Sequence, residues 1–249
     1  MHNLKIYCMC LDNGYLEAVK KHNYIPVGLK NKNFSNEWLT DNTLINISEK
    51  NPFYGEYTFY YWYWKNMLKD KKEDDWIGFC SYRELWGDKK NITDKHSTNS
   101  LLKSLPEEWK NYETIIGEPF KLKKPGITKI LKYGKLALFR NFKEILKANW
   151  SIRFQFDMFH GNGFLDEAIK MLPEKDKKDF DNYVRNENSL NQGNMFITKS
   201  SKIINNYFLE VFTWLEKCEK VFGFNLKGYN RIRMYTFLAE RFLPYWFKK

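Results

Sequence analysis

An α/β fold is the class this sequence predicts, and three observations predict it. Short apolar runs of strand length, at residues 5–11, 24–29, 77–80 and 195–198, alternate with segments of helical periodicity. The stretch "DDWIGFCSYRELW", residues 74–86, passes abruptly from apolar Ile77, Gly78, Phe79 and Cys80 to polar Ser81, Tyr82, Arg83 and Glu84, as a central strand does where it reaches the ligand-bearing edge of a sheet. No repeat, low-complexity linker or composition shift divides the 249 residues, so the reading is one domain over 1–249.

The elements follow in order. Residues 5–11 form a first strand; Asp12, Asn13 and Gly14 supply a turn, and "YLEAVKKH" a helix, giving a β-loop-α opening. Residues 24–29 make a second strand, and 31–46 read as loop with short elements. Asn51 and Pro52 mark a turn before a helix from Glu56 to Leu68. From Tyr57 to Trp64 the only non-aromatic residue is Thr58, so this helix is buried on most faces, or buried on one and lining a groove on another. After the strand at 77–80 comes irregular chain to Lys110, then a short strand within "ETIIGEP".

Residues 121–147 differ in character. Nine Lys or Arg stand against Glu144, interleaved with Ile127, Leu131, Phe139 and other apolar residues and interrupted by Pro125, Gly126 and Gly134. Two readings stay open: a basic amphipathic surface resting on anionic lipid, or a helical insertion with a solvated basic face. Helices are expected at 152–160 and at 164–172, the latter stopped by Pro173, and the lysine-rich "EKDKKDFDNY" is helix-like. A strand at 195–198 precedes a helix with Ile204, Phe208, Val211 and Leu215 at helical spacing, and a last helix, 231–242, ends before Pro244.

Composition narrows the function. Net charge of +11 predicts attraction to polyanions, whether nucleic acid, anionic lipid or phosphorylated small molecules. Aromatics at 18% supply flat apolar faces suited to nucleotide and sugar rings, though most serve the core. Cys8, Cys10, Cys80 and Cys218 lack metal-site spacing and read as reduced thiols of a cytosolic protein. The amino terminus does not resemble a signal peptide, and no segment has the length and apolarity to span a bilayer, so a soluble or peripheral protein is expected. P-loop, G-x-G-x-x-G, G-x-S-x-G and H-E-x-x-H motifs are absent, and His2, His22, His96 and His160 are widely separated, which argues against catalytic zinc.

The blocks "NISEKNPFYGEYTFYYWYWKN", "WIGFCSYRELW", "NMFITKSS" and "FLAERFL", in that order, resemble the DUF4422 family of bacterial proteins associated with exopolysaccharide and capsule synthesis and regarded as glycosyltransferases. "QFDMFHG", with Gln155 and His160, is similar to a further family helix. Ser81 and Glu84 replace the family's His and second Arg, and Thr236 its Gly, departures that bear on the donor sugar.

The resemblance implies a GT-A-like fold: a Rossmann-type nucleotide-binding half with a mixed central sheet and a helical acceptor-side half. The basic segment 121–147 has no counterpart in the family pattern, and its charge run makes a membrane-facing insertion one of its two readings. It implies transfer of a sugar from a nucleotide-sugar donor, expected to be a UDP-sugar, to a growing capsule, exopolysaccharide or lipopolysaccharide. Donor-binding residues would be Asn51, Glu56, Lys65, Ser81, Tyr82 and Arg83. Thr58, Trp62 and Lys65 share a helix face by spacing, so Lys65 is a phosphate contact and Trp62 a ring neighbour, or both pack as core. Asp157 and His160 are the catalytic candidates, with Glu187 an alternative base, while Asn194, Arg233 and Glu240 are acceptor-side or structural.

No D-x-D stands after the strand at 77–80. Asp179-Phe180-Asp181 lies in the helix-like segment and reads as solvated charge. Arg83 is expected to neutralise the donor diphosphate, so no metal ligand is assigned and manganese or magnesium is allowed but not required. The expected partners are the donor, a glycan or lipid-linked acceptor, and an anionic membrane surface at the inner membrane face, with no nucleic acid. A non-enzymatic basic module binding nucleic acid through 121–147 is the rival reading.

Overall fold

The computed structural model describes residues 3–30, 33–87, 101–123, 150–191 and 193–249. All but the first three residues of the basic segment expected at 121–147 therefore lie outside the described residues. The chain divides into two compact units, residues 1–117 with 193–209 and residues 118–192 with 210–249.

Unit 1 is built on a six-stranded sheet. Strand β1 (Leu4–Cys10) leads through a 3-10 turn (Asn13–Tyr15) to helix α1 (Leu16–Lys21), then to β2 (Ile25–Gly28) and the two-residue β3 (Leu39–Thr40). Helices α2 (Asn51–Tyr54) and α3 (Tyr57–Asn66) precede β4 (Trp76–Ser81), and β5 (Thr114–Ile116) follows. After unit 2's strands β6 (Pro119–Lys121) and β7 (Ser189–Asn191), the chain returns as β8 (Phe196–Thr198). The order is β3-β2-β1-β4-β8-β5, with β3 to β4 mutually parallel and β8 antiparallel to both β4 and β5. The expected strands thus form, with ends moved by about a residue.

Strand alternation explains the core. In β1 and β4, which pair Ile6 with Gly78 and Cys8 with Cys80, one face carries Ile6, Cys8, Cys10, Trp76 and Cys80 against Val19, Tyr24, Trp38 and Trp86. The other face carries Tyr7 and Phe79, which meet the aromatic stripe of α3. Phe79 lies 4.8 Å from the Tyr60 ring, 5.3 Å from Tyr63 and 5.0 Å from Phe196. Tyr57, Phe59, Tyr60, Trp62 and Tyr63 are all buried, so the aromatic run is chiefly core.

Unit 2 has the antiparallel pair β6 and β7, with Phe120 opposite Leu190, and a group of helices. These are α4 (Ile152–His160), α5 (Phe164–Lys170), α6 (Glu174–Asn186), the part of α7 (Ser201–Phe222) beyond Leu209, α8 (Tyr229–Ile232) and α9 (Met234–Lys248). Ser151 caps α4 by accepting from Phe154 N at 3.2 Å. Phe180 centres the packing, with ring centroids 5.8 Å from Trp214, 5.5 Å from Phe242 and 5.0 Å from Tyr245.

One boundary needs correction: α9 does not end before Pro244 but carries it inside. Proline there forfeits the hydrogen bond to the Glu240 carbonyl and costs about 3 kcal/mol. Keeping Leu243 and Tyr245 helical buries both, at roughly 1.5–3 kcal/mol per large apolar side chain, which offsets that cost.

Candidate functional site

The chain runs from β1 outward to β2 and β3, then returns to place β4 on the other side of β1. The carboxyl ends of β1 and β4 therefore meet at a topological switch, where open α/β sheets hold ligands. At β1 the segment Asp12–Tyr15 turns sharply, Asp12 accepting from Gly14 N at 2.8 Å, and the Asn13 side chain ties in residues 33 and 35. At β4 the backbones of Ser81 and Glu84 exchange hydrogen bonds of 3.2 and 3.1 Å, so Tyr82 and Arg83 form the tip of a tight turn. Tyr82 N also donates to the Met9 carbonyl at 3.0 Å, joining the two strand ends.

Tyr82 and Tyr15 lie ring to ring at 4.4 Å, a two-ring ledge at the mouth of the switch. Arg83 is exposed, its guanidinium 5.5 Å from the Tyr82 ring centre, and it makes no ion pair among the described residues. A solvent-facing guanidinium on an aromatic ledge suits an anionic group attached to a ring.

β8 runs antiparallel to β4, so the residues before it reach this same edge. Gly193 and Asn194 take left-handed conformations, with φ of 86° and 53°. The positive φ favours glycine at 193, and a Cβ there would sit 1.8 Å from Glu84 Oε2, so any larger residue would also displace that carboxylate. Buried Asn194 accepts from the Tyr57 hydroxyl at 3.2 Å through Oδ1 and from the Tyr60 hydroxyl at 2.7 Å through its carbonyl, and donates to Glu56 Oε1 at 2.6 Å. Tyr207 meets Tyr57 at 2.5 Å, completing a chain Tyr207–Tyr57–Asn194–Glu56. Burial first, then nearby Tyr207 and Glu56, push both the Tyr57 and Tyr60 phenols far up, so they remain donors. Glu56 and Glu84 thus flank the 193–194 corner. Asn194, which the sequence set beside Arg233 and Glu240, stands in unit 1 with Glu56.

Other expected donor residues have different surroundings. Buried Asn51 donates to the Gly55 carbonyl at 2.8 Å and to Thr58 Oγ1 at 3.1 Å, and Thr58 donates to Asp41 Oδ2 at 2.5 Å. Asp41 is fully buried, its Oδ1 without a partner, and burial lifts its pKa to about 6 against the Thr58 hydrogen bond. This network fixes the turn that starts α3. Trp62 Nε1 donates to Thr43 O at 2.8 Å, pinning a loop. Lys65 lies 3.4 Å over the Trp64 ring centre, nine residues along from Glu56, or about 13 Å of helix rise. α3 therefore brings Glu56 to the sheet edge and carries Lys65 away from it.

Asp157 and His160 lie in unit 2, where internal partners occupy them. Asp157 Oδ1 accepts from Gly163 N at 3.0 Å, capping the turn into α5, and Oδ2 is 3.5 Å from Arg153. Burial nonetheless raises its pKa. His160 Nδ1 faces the Asn230 carbonyl at 3.0 Å and so carries the proton, leaving Nε2 to accept from Arg241 at 3.2 Å. Burial, with the Arg241 charge adding to it, holds the ring well below the usual histidine range and hence neutral.

Glu187 Oε1 takes hydrogen bonds from Asn188 N, Ser189 N and Ser189 Oγ, which outweigh burial and lower its pKa, so it is a poor base. Asp181 pairs with Arg185 at 2.8 Å on the surface of α6, and Asp179 is exposed, so the literal D-x-D is solvated helix charge. Glu240 pairs with Arg241, and Arg233 opens α9 at its amino-terminal cap.

Asp41, Tyr15 and Tyr207 were not singled out from the sequence. Tyr15 alone had a local signal, as an aromatic just past the β1 turn. Among the described residues this edge carries three carboxylates, Asp12, Glu56 and Glu84, of which Asp12 accepts from Gly14 N and Glu56 from Asn194. Among the described residues no three His, Cys, Asp or Glu cluster in a metal-ligating group.

The described residues form an α/β fold with a mixed central sheet, GT-A-like in its likeness to a solved glycosyltransferase. Among solved structures, the apo form of the bifunctional glycosyltransferase WbbM is similar with a TM-score of 0.63 and 18% identity over 96% of this chain. The chain spans 41% of that protein's length, and at this identity the likeness is one of fold. A family model described as a domain of unknown function, DUF4422, matches residues 5–249, and the chain belongs to that family. No curated protein matches the sequence.

Proposed function

We propose that the protein is a glycosyltransferase that binds a nucleotide-sugar, in the first instance a UDP-sugar, at the carboxyl edge of β1 and β4. The observation carrying this reading is the exposed Arg83 beside the Tyr15–Tyr82 ledge at the topological switch. In this role the ledge takes the base and Arg83 pairs with the diphosphate. As the bond between the anomeric carbon and the diphosphate breaks, the electron pair leaves with the diphosphate, whose charge Arg83 stabilises. The acceptor hydroxyl forms the new bond and yields its proton to a carboxylate, and Asp12, Glu56 and Glu84 are the carboxylates described at this edge.

Thermal shift with UDP-, GDP-, CMP- and dTDP-sugars, with and without manganese, tests the donor site. Stabilisation by one nucleotide, retained in EDTA, is expected. No response to any nucleotide would remove the reading.

We further propose that the acceptor is a surface glycan or its lipid-linked precursor, presented at the inner membrane face, with residues 121–147 resting on anionic lipid. Each Lys or Arg near such a surface contributes about 1 kcal/mol. Among the described residues no helix is long and apolar enough to cross a membrane. Flotation with anionic and neutral liposomes checks the docking: equal binding to both, or to neither at low salt, counts against it. The rival nucleic-acid module draws no support from the family or the fold.

A further inference from the structure

Unit 2 carries an open cavity of about 450 Å³ of its own, within the range of about 300–1,000 Å³ typical of small-ligand sites. Its wall comes largely from α4 and α9. Gln155, Phe159 and His160 face Phe237, Glu240 and Arg241, with Phe120 of β6 at the rim and 42% exposed. Three aromatic rings thus alternate with polar edges.

The polar groups are arranged to leave little net charge. Arg241, 1% exposed, gives NH1 to the Phe237 carbonyl at 3.2 Å and to the Glu240 carboxylate, and NH2 to Gln155 Oε1 at 2.8 Å and His160 Nε2. Its Nε is buried, so no guanidinium donor remains for an incoming anion. His160 is neutral, its two nitrogens committed to Asn230 and Arg241. Within the Arg241–Glu240 pair the carboxylate is the more exposed partner, 14% against 2% for the side chains, which sets the cavity against anions. Gln155 commits its oxygen to Arg241, which fixes its amide orientation and leaves its N–H groups without a partner among the described residues.

Apolar ring faces, a fixed amide donor, a carboxylate acceptor and no free positive charge are complementary to a neutral saccharide, whose rings show C–H faces and hydroxyl edges. We infer that this cavity binds a neutral saccharide. As the place where the enzyme proposed above holds its glycan, the cavity depends on that reading. Its shape and chemistry do not.

Saturation-transfer NMR with lactose and maltose as neutral probes, and glucuronate as the anionic one, tests the assignment. Millimolar binding of a neutral probe is expected, with glucuronate at least about tenfold weaker. Phe237→Leu should weaken the neutral probe by roughly threefold to tenfold, the worth of one aromatic face. Glu240→Gln leaves the Arg241 charge uncompensated and should bring glucuronate up to the neutral probes or beyond them. Glucuronate binding as well as lactose and maltose in the wild type, silence from both neutral probes, or a folded Phe237→Leu protein that binds like wild type would each overturn the inference. If Phe237→Leu does not fold, the Glu240→Gln preference decides alone. Nucleotide stabilisation without saccharide binding defeats the cavity while sparing the transferase reading. Saccharide binding without any nucleotide response supports the cavity and defeats the other.

Discussion

The edge of the unit 1 sheet and the polar interior of unit 2 use the same residue types to opposite ends. At the edge, Arg83 projects to solvent without an ionic partner among the described residues. In unit 2, Arg241 is sealed among Gln155, His160, Glu240 and a backbone carbonyl. A charge meant for a ligand is kept hydrated and available. A charge that organises a wall is enclosed, because leaving it unpaired there would cost several kcal/mol. Residue type alone does not separate these cases; burial and partner count do.

The comparison breaks first at Arg241. Arg241→Ala removes the Arg241–Glu240 ion pair and unties Gln155 and His160, so stability should fall by about 3–5 kcal/mol in urea unfolding. A loss under about 1 kcal/mol would show that the enclosure is not structural.

Arg83→Ala should leave the urea midpoint in place and lower kcat/KM by roughly 30-fold to several thousand-fold, corresponding to about 2–5 kcal/mol, with Arg83→Lys in between because it keeps charge but loses the planar fork. Unchanged turnover and nucleotide affinity in a folded Arg83→Ala protein would make the edge mere surface.

Asp41 sharpens the contrast within unit 1. Its pKa, raised to about 6 by burial, means the folded state holds its proton more tightly than the unfolded chain does. Its stabilising contribution is therefore full below about pH 4 and is lost as pH rises through about 6. Moving from 3.8 to about 6 is worth about 3 kcal/mol at most, so Asp41→Asn should gain on wild type by up to that amount between pH 4 and 7. Parallel melting curves across this range would discard the assignment.

The smallest effect is expected at Lys65, where Lys65→Ala removes a cation–π contact worth about 0.5–1 kcal/mol and leaves nucleotide stabilisation as it was. Loss of that stabilisation would return Lys65 to the donor site.

What the sequence made legible followed local pattern. The apolar runs of β1, β2 and β4, the buried aromatic helix and the polar switch after Cys80 all declare themselves within a dozen residues. Strands β6 and β7 did not: each is three residues long, and Pro119–Lys121 is exposed throughout, so neither shows alternation. Composition marks no boundary between the two units, because unit 1 reclaims residues 193–209 after unit 2 has begun; only the family resemblance implied two halves. Asp157 and His160 carry the right chemistry for catalysis, yet the partners that hold them are remote in sequence, with Arg241 lying 81 residues from His160. Asp41 was invisible for the same reason, its partner Thr58 being 17 residues away across a turn.

The late return of β8 has a consequence for how the protein is made. β8 sits between β4 and β5, yet it is synthesised after all of residues 118–192. At about 5–20 residues per second, a ribosome needs about 4 to 16 seconds to reach it after finishing β5. Throughout that interval the nascent chain carries β4, rich in Trp76, Ile77 and Phe79, with one edge unsatisfied, a template for pairing with other chains. Messages truncated ahead of Phe196 would release that edge permanently, so such fragments should aggregate or require a chaperone even though most of the sheet's strands are already present.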